Sequence, residues 1–224
     1  MSTQLRTSFV ENGTVTGWRT AGRCCAAVGW LLWVVVQVVA ADPFPPEISL
    51  SQYGLGGTGW LFSVWVVVLA SSPLLLLRYR PVPGSARWLL AVGYVGTWVM
   101  AIVRTDEGVQ QMSAHAMVHM AGAATGLVFL PIGIVVVLRY SAKPWPAVAI
   151  ATLGTGVVVG MLILVSAAGV DTAGMGPARS WALWQGSLVV IEMLLVGLYA
   201  LVVTTVDPRS RRPGRSSPVQ SAIR

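Results

Sequence analysis

Six blocks of apolar residues, separated by short polar connectors, dominate this sequence. Each block has about 17 to 25 residues, the length of helix that crosses roughly 30 Å of hydrocarbon. The blocks cover residues 24–41, 60–77, 87–103, 114–138, 147–168 and 183–206. The ten-residue alternation typical of a membrane barrel is missing, and backbone polar groups in lipid must be satisfied within the chain. We therefore predict an all-α integral membrane bundle of six transmembrane helices.

Composition supports the membrane class and divides the chain into three parts. Hydrophobic residues make up 55% of the chain and charged residues only 10%, whereas about a quarter of the residues of a soluble domain are charged. Long apolar blocks also exclude a disordered chain. We predict a polar amino-terminal tail (1–23), a six-helix transmembrane domain (24–206) and a basic, disordered carboxy-terminal tail (207–224).

The basic residues are divided unequally between the two predicted sides of the membrane. Of the 15 Lys and Arg residues, only Arg104 and Arg179 fall on one side, which leaves 13 on the other. Cytoplasmic segments carry the excess of Lys and Arg, so both termini are predicted to be cytoplasmic and the protein to lie in a plasma membrane. The net charge of +7 then reflects topology and contact with the lipid bilayer. Nucleic acid is not expected as a partner, and oligomeric state is left open.

The first apolar block has a second interpretation. It ends in Val38-Val39-Ala40, a small-residue pattern found at the cleavage sites of signal peptides. The 23 residues before the block are long for a charged leader, and Trp30, Trp33 and Gln37 are unusual in one. We expect a retained first span, with cleavage as the alternative.

Both histidines of the sequence, His115 and His119, lie near the start of the fourth predicted helix. Spaced i, i+4, they share one helical face. The small residues Gly122 and Gly126 continue this face and allow another helix to approach closely. We expect the histidine face to point into the bundle. Three roles remain open for the pair: a hydrogen-bonded polar cluster, acid/base or proton-relay chemistry, and metal binding.

A metal site would use His115 and His119 as two ligands to zinc or another transition metal, with a carboxylate as the third. Asp106, Glu107 and Glu47 lie on the same predicted side of the membrane. The sequence does not show that these groups converge. Zinc or another transition metal is thus the one cofactor considered, and nothing in the sequence requires it.

Two outer connectors carry candidate ligand-binding residues. Arg104 can hold a phosphate or carboxylate headgroup, and Asp106 next to it can pair with His115. The first connector contributes Glu47 and Ser49, in a segment expected to roof the outer mouth of the bundle. The alternative for both connectors is a solvated turn or a packed lid without a ligand.

Glu192 lies about nine residues into the sixth predicted helix, near the middle of the membrane. An ionised carboxylate at this depth costs a few kcal/mol, so the group should be protonated or paired and should face the interior. A role in function and a structural, hydrogen-bonded glutamate both remain open. On the fifth helix, Gly156 and Gly160 form a Gly-x-x-x-Gly pair that predicts close helix packing.

Three segments together resemble a known family. They are the Phe-Pro-Pro-Glu-Ile-Ser-Leu-Ser-Gln-Tyr-Gly run of residues 44–54, the Arg-Thr-Asp-Glu-Gly turn of residues 104–108, and the histidine pair. The chain is similar over residues 25–206 to bacterial, mainly actinobacterial, membrane proteins of six to seven helices, catalogued as a domain of unknown function. The resemblance implies a bacterial plasma membrane and one outward-facing set of side chains, but no activity. That set comprises Glu47, Ser49, Arg104, Asp106, His115 and His119.

These observations predict a multi-pass membrane protein with an outward-facing polar pocket, either structural or accessory, or binding a lipid headgroup or small molecule. One alternative is a proton-coupled carrier of small molecules that uses Glu192. Another is a metal-dependent, lipid-modifying enzyme that uses His115 and His119. The sequence does not decide whether the protein is an enzyme. If it is one, the candidate catalytic residues are Asp106, His115, His119 and Glu192.

Overall fold

The computed structural model describes residues 2–42, 44, 46–77, 82–107, 113–141 and 144–205, with side chains from residue 16 onward. The predicted basic tail (207–224) and the side chains of residues 1–15 lie outside the described part. Six α-helices follow one another along the chain: α1 (Ser2–Ala40), α2 (Gly59–Leu77), α3 (Gly84–Ile102), α4 (Ala114–Leu138), α5 (Trp145–Ala167) and α6 (Pro177–Thr205). A short 3₁₀ turn, Leu50–Gly54, lies between α1 and α2. The described residues contain no strand, so the predicted all-α class is confirmed.

All six helices contain a segment long and apolar enough to cross a membrane. The predicted six-span membrane class is therefore confirmed, and α4 covers the predicted residues 114–138. Two helices begin at least six residues before their apolar blocks: α1 begins at Ser2 instead of residue 24, and α6 begins at Pro177 instead of residue 183. The reason is that hydropathy marks only the part of a helix that lies in hydrocarbon, while polar residues continue the same helix beyond it.

Helix α6 lies at the centre of the arrangement and contacts α1, α2, α4 and α5. Its buried side chains include Met193, Val196 and Tyr199. On α2, Trp65 is also buried, and its ring lies 4.9 Å from that of Trp33 on α1. The first helix is thus packed into the bundle by an aromatic contact with α2. Helix α5 is the most peripheral, because most of its apolar side chains remain exposed.

The connectors α1–α2, α3–α4 and α5–α6 lie at one end of the bundle, which we call the His end because it carries His115. An ion pair between Glu47 and Arg179 joins the first of these connectors to the start of α6. Asp106 in the α3–α4 connector lies 3.0 Å from His115 at the start of α4. The opposite end contains the α2–α3 and α4–α5 connectors.

Helices α3 and α4 are in backbone contact along a seam of glycines, which we call the α3–α4 seam: Gly93 and Gly96 on α3, and Gly122 and Gly126 on α4. A Cβ atom added at Gly96 would lie 2.7 Å from the backbone nitrogen of Gly126 and 2.8 Å from the carbonyl oxygen of Gly122. Such distances are too short for real carbon atoms, so only glycine permits this approach. The prediction that Gly122 and Gly126 admit another helix is confirmed, and the structure identifies that helix as α3.

The predicted close packing at the Gly-x-x-x-Gly pair of α5 is wrong for the described part of the chain. A Cβ atom at Gly160 would meet nothing within 4 Å, and one at Gly156 would make only ordinary contacts of 3.6 Å with Leu188 and Ile191. The pair lies on the helix with the least burial, and a small-residue pattern alone does not determine whether a partner helix is present.

The contribution of the α3–α4 seam to stability can be tested with one variant on α3 and a control variant on α5. Gly96→Ala should lower the free energy of unfolding by about 1 to 3 kcal/mol, because the added methyl group overlaps backbone atoms that cannot move independently. Gly160→Ala places the same methyl group in open space and should leave stability unchanged or slightly raised, since alanine favours helix. Thermal unfolding of the two variants in detergent, followed by tryptophan fluorescence, measures the difference. Equal melting temperatures would contradict the structural role of the seam.

Candidate functional site

A hydrogen-bonded cluster around Asp106 starts helix α4. The Asp106 carboxylate accepts hydrogen bonds from the backbone N–H of Ser113 at 2.9 Å and from its hydroxyl at 2.5 Å. The Ser113 hydroxyl oxygen in turn accepts from the backbone N–H of Ala116 at 3.1 Å and caps the helix. This carboxylate also makes the expected pairing with His115, whose side chain is 60% exposed. This cluster therefore orders the end of α4 next to solvent.

His119, one turn further into α4, is used differently from His115. His119 is 3% exposed, and its Nδ1 atom lies 2.6 Å from the carbonyl oxygen of Val103. A carbonyl can only accept, so Nδ1 carries the proton and donates to it. In the neutral ring Nε2 is then an acceptor. Nε2 is buried and, among the described residues, has no hydrogen-bond partner.

A cavity of about 310 Å³ lies against His119, and we call it the His119 cavity. The α1–α2 connector, α2, the end of α3 and the α3–α4 connector form its other walls. Its polar side chains are those of Ser51, Ser63, Arg104, Thr105 and His119. The volume lies at the lower end of the range for pockets that bind small molecules.

The rim of the His119 cavity is apolar and faces away from the bundle. Trp60 is 62% exposed and Ile102 68% exposed, and Val64 is also exposed. These residues belong to segments of α2 and α3 that are long and apolar enough to cross a membrane. Arg104, which is also exposed, lies just beyond the end of α3. The cavity thus combines an apolar opening with polar groups at one end.

The two candidate residues of the first connector lie outside this cavity. Glu47 forms its ion pair with Arg179. Ser49 is buried, and its hydroxyl lies 3.1 Å from that of Ser51, which does line the cavity. Five of the six residues expected to form one set are therefore distributed over three places: the Glu47–Arg179 pair, the Asp106 cluster and the His119 cavity. The sixth, Ser49, contacts the cavity residue Ser51. A ligand-binding role for Glu47 and Ser49 remains a prediction.

Glu192 lines a smaller cavity of about 50 Å³ inside the bundle, which we call the Glu192 cavity. Helices α2, α3, α4 and α6 form its walls. The Oε1 atom of Glu192 and the indole nitrogen of Trp65 are buried and, within the described residues, have no hydrogen-bond partner. The structure places Glu192 toward the interior, as its depth in the membrane predicts. It does not bring Glu192 into the same cavity as His119.

The described residues supply no third ligand for a metal ion bound by His115 and His119. No group of three or more His, Cys, Asp or Glu side chains in that part of the chain could hold a metal ion. His115 directs Nε2 toward Asp106, and His119 directs Nδ1 toward a carbonyl oxygen. Zinc or another transition metal at His115 and His119 remains a prediction.

The role of Asp171 in the α5–α6 connector was not predicted from the sequence. Its carboxylate accepts hydrogen bonds from the backbone N–H groups of Gly176, Met175 and Ala173 and from the Ser180 hydroxyl. Gly176 adopts a positive φ of 93°, which lets the chain wrap around the carboxylate. The hydrogen bond from Gly176, followed by that from Ser180, lowers the pKa of Asp171 far below its usual range. An Asp followed by glycines was the available signal.

Comparison with known proteins identifies one protein family. A family model described as "Protein of unknown function (DUF998)" matches residues 24–202, which is more than half of the chain. No curated protein and no solved structure matches the chain.

The lowered pKa of Asp171 predicts a defined dependence of stability on pH. A carboxyl group with a lower pKa in the folded state stabilises that state at pH values above its ordinary pKa of about 3.9. This stabilisation is lost as the pH falls through the lower, folded-state pKa. Asp171→Asn should therefore melt below the wild-type temperature at pH 7 and pH 5, and the difference should shrink below about pH 4.

Thermal unfolding in detergent at pH 7, 5 and 3 checks this dependence. Glu107→Gln serves as control, because Glu107 is an exposed carboxylate of another connector at the same end. It should leave the melting temperature unchanged at all three values. An Asp171→Asn variant that melts like the wild type at pH 7 would show that the carboxylate does not stabilise the connector.

Proposed function

The chain belongs to the DUF998 family, whose function is unknown, and on that premise we propose that it binds an anionic, hydroxyl-bearing lipid headgroup in the His119 cavity. The observation that carries this proposal is the buried Nε2 atom of His119, an acceptor without a partner among the described residues, in the wall of a cavity that Arg104 also lines. An acceptor of this kind requires a donor from the ligand, and an alcohol hydroxyl supplies one.

In this proposal, Arg104 binds the phosphate group of the lipid headgroup. A guanidinium group presents several N–H donors that match the oxygens of a phosphate. Arg179, the other basic residue of this end, is already paired with Glu47. A ligand that carries both a phosphate and a hydroxyl group therefore matches Arg104 and His119 together.

The apolar rim favours a lipid over a soluble molecule. Trp60, Val64 and Ile102 are exposed next to the opening, within segments able to cross a membrane. An acyl chain can lie against this rim in the hydrocarbon while the headgroup enters the polar end. We propose an accessory, lipid-binding protein without chemistry of its own as the reading that these contacts support best.

We further propose that the His end faces the outside of a bacterial plasma membrane. The distribution of 13 basic residues on the opposite side and two on this side supports this orientation. The headgroup would then come from the outer leaflet, and both termini would be cytoplasmic.

Lipid binding can be tested with three lipids that differ in one group each. Phosphatidylglycerol carries a phosphate and alcohol hydroxyls, phosphatidylmethanol carries the same charge without a hydroxyl, and phosphatidylcholine is zwitterionic. Native mass spectrometry of the detergent-purified protein should show preference in that order. Arg104→Gln should weaken binding of both anionic lipids by about tenfold, the usual effect of losing one charged hydrogen bond.

Two matched variants separate the roles of the polar groups. Arg179→Gln removes a positive charge from the same end and should leave lipid binding unchanged. His119→Asn retains a donor near the position of Nδ1 and removes Nε2, so it should abolish the preference for phosphatidylglycerol over phosphatidylmethanol. Soluble glycerophosphate that binds as tightly as the lipid would indicate a free small molecule as the ligand. Equal binding of all three lipids by the wild type would refute the proposal.

The orientation has its own test by cysteine labelling. Glu107→Cys and Ser85→Cys place thiols at exposed positions of opposite ends, in a background with Cys24→Ser and Cys25→Ser. A membrane-impermeant maleimide should label Glu107→Cys in intact cells and Ser85→Cys only after permeabilisation. The reverse pattern would place the His end in the cytoplasm.

A further inference from the structure

The His119 cavity and the Glu192 cavity share one lining residue. Met100 on α3 lines both the His119 cavity and the Glu192 cavity. Methionine is unbranched, has three rotatable bonds and changes conformation easily. The backbone of Met100 is fixed against α4, because a Cβ atom at Gly122 would lie only 2.9 Å from its nitrogen. The helix therefore holds the position of Met100, and only its side chain can move.

The Glu192 cavity has room for a water molecule, although most of its lining is apolar. Its volume of about 50 Å³ exceeds what one water molecule needs, and a buried water is stable where polar groups bind it. Glu192 Oε1 and Trp65 Nε1 are its unpartnered polar atoms among the described residues, one an acceptor and the other a donor. A water molecule can accept from the indole and donate to the carboxyl group.

Glu192 is the titratable residue among those that line this cavity. The described part of α2 contains no charged or titratable side chain. The other titratable groups of the three remaining walls do not line the cavity; they are Arg87, Tyr94, His115, His119, Arg179 and Tyr199. The charge of this site therefore depends on the carboxyl group of Glu192.

We propose that Glu192 is an intramembrane proton-binding site that exchanges its proton with the His end through the His119 cavity, with Met100 closing the route between the two cavities. In the binding step, hydronium transfers a proton to the Glu192 carboxylate, which forms the carboxylic acid and leaves water. Release is the reverse reaction. The step needs no oxidant, reductant or other reactant.

This route uses the same cavity as the proposed lipid site but different side chains. Arg104 and His119 recognise the headgroup, whereas Met100 and Glu192 determine the exchange. Lipid binding is therefore tested with variants of Arg104 and His119, and proton exchange with variants of Met100 and Glu192. Failure of one proposal can in this way be told apart from failure of the other.

Infrared spectroscopy of the protein reconstituted in phosphatidylcholine vesicles tests the proposal. A protonated carboxyl group gives a carbonyl stretching band separate from the amide bands, and transfer into heavy water shifts it at the rate of exchange. The wild type should show such a band, and Glu192→Gln should lose it. Met100→Phe should slow the exchange by about tenfold or more, because the rigid ring fills the route.

Two further variants keep the test decisive. Met161→Phe makes the same substitution at an exposed position of α5 and should exchange at the wild-type rate. Met100→Ala removes the closing side chain and should speed the exchange, so the route remains testable if Met100→Phe does not fold. The proposal is overturned if no carboxyl band disappears in Glu192→Gln. It is also overturned if Met100→Ala and the foldable Met100 variants exchange like the wild type.

Discussion

The backbone contact between α3 and α4 at Gly96, Gly122 and Gly126 is the constraint on which the rest of the His end depends. Because no Cβ atom separates them, the two helices lie close enough for the end of α3 to reach α4. The carbonyl group of Val103 thereby accepts a hydrogen bond from His119 Nδ1. This bond fixes the tautomer of the ring and leaves Nε2 in the cavity. A wider spacing between α3 and α4 would remove this hydrogen bond, and the tautomer of the His119 ring would no longer be fixed.

The α3–α4 seam also forms part of the wall of the Glu192 cavity. Thr97 and Met100 on α3 and Gly126 on α4 all line the space in front of Glu192. Polar atoms buried without partners cost free energy of about 1 to 3 kcal/mol each. Groups of this kind are retained in membrane proteins mainly where a ligand or a proton supplies the missing partner. Both cavities for which we propose a role, the His119 cavity and the Glu192 cavity, have residues of α3 and α4 in their walls.

The site was predicted only in part, and the histidines show why. Their i, i+4 spacing predicts a shared face, and His119 is indeed buried. His115, one turn earlier on α4, is exposed and pairs with Asp106 of the α3–α4 connector. Glu47 was grouped with these residues, but its ion-pair partner is Arg179, which lies 132 residues later in the chain. Contacts between residues so far apart in the chain depend on how the helices are arranged. Residue spacing in the sequence does not predict that arrangement.

The sequence by itself determined the class of the protein, the number of helices and most of their bounds. These properties follow from the length of apolar segments, because each residue must be transferred into hydrocarbon whatever its neighbours are. Tertiary structure decided which glycines lie at a helix contact: Gly96 does, and Gly160 does not. It also decided that Met100 lines both the His119 cavity and the Glu192 cavity. The physical reason is that the rotation of each helix about its axis is set by packing against several partners at once, and no single segment contains that information.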